Sequence, residues 1–73
     1  MKTLDLHGLK HQEVDEKVRS FLNFVNLPCY IITGNSQEMK DIVKKIVKEY
    51  EWYCHEKNSY NKGTLVVRDE LVW

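Results

Sequence analysis

The sequence predicts a two-layer α/β (α+β) sandwich of order βαβαββ, with a mixed four-stranded sheet. Three observations carry this. The apolar period switches from two to about 3.6 and back along the chain. The three glycines, Gly8, Gly34 and Gly63, and the one proline, Pro28, stand apart from one another and fall at the switches. The chain has 73 residues, of which 42% are hydrophobic, enough for one thin core and for a single domain over 1–73.

Thr3 to His7 alternates, with Leu4 and Leu6 on one side and Asp5 and His7 on the other, as in a half-buried strand ending at Gly8. Val14, Val18, Phe21, Leu22 and Val25 then share a helical face, which predicts a helix from about His11 to Val25, stopped by Asn26-Leu27-Pro28. Cys29-Tyr30-Ile31-Ile32-Thr33 is a branched and aromatic run between Pro28 and Gly34 and reads as a more buried strand. Asn35 with Glu38 three residues on resembles a capping box, and Met39, Ile42, Val43, Ile46, Val47 and Tyr50 form the apolar face of the helix that follows. Trp52 to Lys57 and Thr64 to Arg68 read as two strands joined by turn chemistry at Asn58 to Gly63. The helical connection makes the first two strands parallel neighbours, and the last two are expected as a hairpin at or near an edge.

Eleven basic and eleven acidic side chains cancel, so any attraction to a polyanion must be local rather than global. No apolar run reaches signal-peptide or membrane-span length, and a cytoplasmic location without membrane association is expected. Cys29 and Cys54 lie among apolar and aromatic neighbours and form no Cys-x-x-Cys pair; a structural reduced thiol is favoured over a disulfide or metal role.

In a strand-helix-strand-helix arrangement the strand C-termini and helix N-termini gather at one sheet edge, which brings His7-Gly8 to Thr33-Gly34. Free amides at helix starts suit that edge to phosphate. His7 is the proton shuttle expected there, because an imidazole titrates near neutrality; the alternative is a residue that merely caps a turn. Asp5, two residues earlier, is placed to orient the ring, to hold it protonated or to bind a metal.

Leu4-Asp5-Leu6-His7-Gly8, followed by Ile32-Thr33-Gly34 before a second helix, resembles the Smr (small MutS-related) domain family over nearly the whole chain. Its hallmarks are a Leu-Asp-x-His-Gly motif and a Thr-Gly-x-Gly motif on a fold similar to the C-terminal domain of translation initiation factor three. The first motif is complete; in the second, Ser36 replaces the final glycine. The resemblance implies an endonuclease on RNA or structured, branched DNA, with Asp5 and His7 at the active edge and the Gly34 loop at a phosphate. Ser36 puts a side chain where backbone is expected, although Asn35 and Ser36 are able to donate to a phosphate oxygen.

Two-metal cleavage needs several convergent carboxylates, and only Asp5 is evident at this edge. A single divalent cation is compatible with Asp5 and His7 but not required; His11 extends that set only weakly, since Gly8 breaks the spacing. Without metal, RNA is the easier substrate because its 2′-hydroxyl supplies the nucleophile. Gly8, Lys10, Thr33, Gly34, Asn35, Ser36 and Lys40 are the expected phosphate-side residues. Lys40, Lys44, Lys45 and Lys48 also read as an ordinary solvated helix face, the favoured reading of that strip. Tyr30, Tyr53, His55 and Lys57 are placed to project from a helix-free sheet face, with Tyr60 on the nearby turn; packing is the favoured reading and base stacking the sharper one. Rival readings are a nucleic-acid-binding module that no longer cuts, and a protein-interaction adaptor or weak homodimer docking through Trp73 or the hairpin.

Overall fold

Six elements in the order read from the sequence build the structure, a computed structural model that describes residues 2–70: β1 (Thr3–Asp5), α1 (His11–Phe24), β2 (Cys29–Ile32), α2 (Gln37–Glu49), β3 (Tyr53–Glu56) and β4 (Thr64–Arg68). The sheet order is β1-β2-β4-β3. β1 runs parallel to β2, with Leu4 opposite Ile31, while β4 is antiparallel to both β2 and β3. The hairpin is therefore present with β3 at the edge. Its inner strand, β4, lies against β2 in the middle of the sheet.

Both helices cover one face. Leu6, Val14, Val18, Leu22, Cys29, Ile31, Met39, Val43, Ile46, Val47, Leu65 and Val67 make one buried cluster, and each fully buried aliphatic contributes about 1.5–3 kcal/mol. Cys29 lies inside this cluster and Cys54 packs against it, both as free thiols. Burial pushes each thiol up to about 11, with Lys44 partly opposing the shift at Cys54. Tyr50 and Trp52 pack together at the margin, ring centroids 5.1 Å apart. Arg19 ties the helices, reaching Asp15 at 2.8 Å and Glu49 at 3.0 Å. Trp73, expected as a docking residue, lies outside the described residues.

Two local boundaries differ from expectation. α2 starts one residue later than the Asn35 cap implies: the Ser36 hydroxyl accepts the Met39 amide at 3.1 Å. Serine and asparagine cap about equally well, and Glu38 is engaged elsewhere, with His11. β1 ends at Asp5, so His7 belongs to a turn rather than to the strand.

Among the described residues, no helix is long and apolar enough to cross a membrane.

Candidate functional site

The parallel pairing of β1 and β2 brings the two turns together as the topology requires. The Leu6 amide donates to the Ile32 carbonyl at 2.8 Å, and beyond that bond the chains separate into their helices.

The first turn is Leu6-His7-Gly8-Leu9. Leu6 is fully buried and anchors it. The Leu9 amide closes on the Leu6 carbonyl at 3.0 Å, and Gly8 takes φ +85°, a conformation that costs a residue with a Cβ about 1–2 kcal/mol. The Asp5 carboxylate accepts the His7 backbone amide at 2.9 Å. It thus acts on the main chain of His7, the local bond an aspartate makes two residues ahead of a turn. The His7 side chain is exposed. A Cβ built on Gly34 would lie 3.9 Å from its Cδ2, so the imidazole stands beside the second turn.

The histidines divide by their partners. His11 Nδ1 lies 3.0 Å from Glu38 Oε1, joining the starts of the two helices. His55 Nδ1 lies 2.8 Å from the Glu56 carbonyl, while Arg68 Nε donates to its Nε2 at 3.3 Å. Among the described residues, only the His7 ring has no hydrogen-bond or ion-pair partner.

The second turn is closed by the β3–β4 loop. The Thr33 and Gly34 amides both donate to the Gly63 carbonyl, at 2.8 and 3.1 Å. The Thr33 hydroxyl is within reach of the Gly34 and Gly63 carbonyls, and Thr33 is buried. Gly34 sits at φ +68°. Ser36 spends its hydroxyl as an acceptor on the α2 cap, and Asn35 is exposed.

Lys10 and Lys40 have opposite fates. Lys10 is exposed at the N-cap of α1, where no side chain caps the helix; its carbonyl accepts the Glu13 amide at 2.9 Å, which leaves the His11 and Gln12 amides to solvent or ligand. Lys40 is buried, and its Nζ binds Glu56 Oε2 at 3.1 Å. It is thereby drawn toward β3 as a structural ion pair rather than displayed on a basic strip. Lys44, Lys45 and Lys48 remain exposed.

The structure thus gathers Asp5, His7, Gly8 and Lys10 with Thr33, Gly34, Asn35 and Ser36 at one edge, and engages Lys40 apart from them. Sequence reasoning missed the Gly63 clamp and the His11–Glu38 pair, both of which depend on contacts between distant segments. Among the described residues, no group of three or more His, Cys, Asp and Glu side chains converges. A divalent cation at Asp5 and His7 would therefore take most of its ligands from water or from a substrate phosphate.

The chain matches no protein-family model, no curated protein and no solved structure.

Proposed function

We propose that this protein is a cytoplasmic Smr-like endonuclease that cuts RNA or structured DNA, with His7 as the acid or base. One observation carries the reading. His7 is exposed on a rigidly anchored turn, its ring has no partner among the described residues, and it adjoins a helix start that lacks a side-chain cap. A phosphate at that start meets the His11 and Gln12 amides, with Lys10 beside it to balance its charge. On RNA, the imidazole then takes the proton of an attacking 2′-hydroxyl or gives one to the departing 5′-oxygen, the second transfer falling to water. Asp5 is a positioning residue: by accepting the His7 amide it fixes where the imidazole stands.

A specific observation favours the second reading, a module that binds without cutting. The Gly34 amide is already committed to Gly63 and the Ser36 hydroxyl to Met39, so the Gly34–Ser36 loop offers a phosphate fewer donors than an open glycine-rich loop.

The test is to incubate labelled single-stranded RNA, hairpin RNA and supercoiled DNA with wild type and His7→Ala, each with and without chelator. Products that vanish with His7 support the enzyme, and the chelator lanes show whether a metal takes part. Salt-sensitive binding without products in any lane supports the non-cutting module instead.

A further inference from the structure

We infer that the helix-free face of the sheet is a platform for an unpaired nucleic-acid strand, which leads to the His7 edge. The inference rests on the nucleic-acid reading above and deepens it by naming the form of substrate.

The strand register defines this face. Cys29, Ile31, Leu65 and Val67 point to the helices and are buried in the core, so the alternate residues of each strand point the other way. Tyr30, Val66 and His55 are aligned across three strands, with Arg68 opposite Tyr53 one row away and Ile32 opposite Thr64 on the other side. Val66, between Tyr30 and His55 in this row, is only 3% exposed. Tyr53 is 42% exposed. The face therefore offers two phenol rings and an imidazole, spaced by strand geometry at about 5–10 Å, on which successive bases stack without regard to sequence.

Its charge selects the partner. The chain as a whole is neutral, yet Lys57 and Arg68 both lie on this face, with Lys57 Nζ 4.9 Å from the Tyr30 ring centroid. The one carboxylate that the strand register puts here is Asp5, already engaged with the His7 amide. Glu56, the other strand carboxylate, turns to the helix side and neutralises Lys40. A base that stacks on Tyr30 replaces the exposed Lys57 contact, and the ammonium moves to the adjoining phosphate. Duplex bases are already stacked on one another and present no free faces to such a floor.

The route continues to the site. Lys57 leaves β3 beside β4, its amide donating to the Thr64 carbonyl at 2.8 Å. The loop that follows is held by Asn58 Oδ1, which accepts the Tyr60 and Asn61 amides at 2.9 and 2.7 Å. It ends at Gly63, the residue that clamps the second turn. Tyr60 is 98% exposed on this loop, giving a further stacking ring between platform and edge.

The test is fluorescence anisotropy with an end-labelled 12-nucleotide oligouridine, the corresponding oligodeoxythymidine and a blunt RNA duplex. The titrations use wild type, Tyr30→Leu, Tyr53→Ser and Lys57→Gln, with melting curves for each. Both single strands are expected to bind more tightly than the duplex; each tyrosine change should weaken them about tenfold, and Lys57→Gln should lower the salt slope by about one ion. Tyr53 is exposed, so Tyr53→Ser is informative whatever Tyr30→Leu does to stability. Wild-type affinity in both tyrosine variants, or preference for the duplex, overturns the platform and leaves the nucleic-acid reading standing. Absence of binding to all three probes overturns both.

Discussion

The two turns that meet at the sheet edge are built from similar parts and put to opposite use. Each follows a parallel strand, contains a glycine at positive φ and leads into a helix. The first spends one carboxylate on its own backbone, leaves its helix without a side-chain cap and displays an imidazole with no partner among the described residues. The second is sealed: two amides go to Gly63, and Ser36 caps the helix. Position in the topology makes a turn available for chemistry, but the state of its hydrogen-bonding groups decides whether it displays a group or merely braces one. Here the second turn braces and the first displays.

The largest expected effect probes the bracing side. Glu56→Gln removes the partner of an ammonium whose side chain is 7% exposed, and an uncompensated charge there costs about 2 kcal/mol, less than a fully buried pair because Glu56 is partly exposed. Lys40→Met removes charge and desolvation together and should cost less than about 1 kcal/mol. Urea unfolding of the two variants gives the comparison; equal losses would mean that the pair does not brace the α2–β3 side.

A smaller effect separates the two turns directly. A Cβ added at Gly63 would lie 3.2 Å from Gly34 Cα and 3.3 Å from its C and O, backbone atoms that cannot rotate away. Gly63→Ala should therefore cost about 1–2 kcal/mol and speed amide exchange at Thr33 and Gly34. Gly8→Ala meets nothing within 4 Å and should cost only the positive-φ penalty, about 1 kcal/mol, without disturbing those amides.

Asp5 gives the finest distinction. Asp5→Asn keeps an oxygen to accept the His7 amide and should change stability by less than about 0.5 kcal/mol, whereas Asp5→Ala loses that bond and about 1 kcal/mol. If Asp5 acts only by positioning, activity should follow the same order, with Asn close to wild type. A large loss in Asp5→Asn would assign the carboxylate's charge a part in the reaction.

Much of the fold was legible because it rests on local signals. The switches of apolar period give six elements, and Gly8, Pro28 and Gly34 lie at their ends. The parallel pairing of β1 and β2 follows from the helical connection alone, and with it the meeting of His7 and Gly34. What remained hidden depends on contacts between distant segments. Lys40 looked like one of a row of exposed lysines because only the course of β3 brings Glu56 to it. Gly63 looked like turn punctuation because nothing near it in sequence points to Gly34. The insertion of β4 beside β2 is likewise a choice among pairings that hairpin chemistry does not make. The Asp5 contact is different: sequence reasoning gave Asp5 to the imidazole or to a metal and missed its bond to the His7 amide, although a carboxylate two residues before a turn amide is a short-range signal.

The most direct test of the contrast is single-turnover cleavage of a labelled single-stranded RNA by wild type, His7→Ala and Gly34→Ala, with affinity measured on the same samples. The account predicts that His7→Ala lowers the cleavage rate at least about 100-fold with affinity and melting little changed, while Gly34→Ala loses stability and slows cleavage only modestly. Undiminished cleavage by His7→Ala would contradict it.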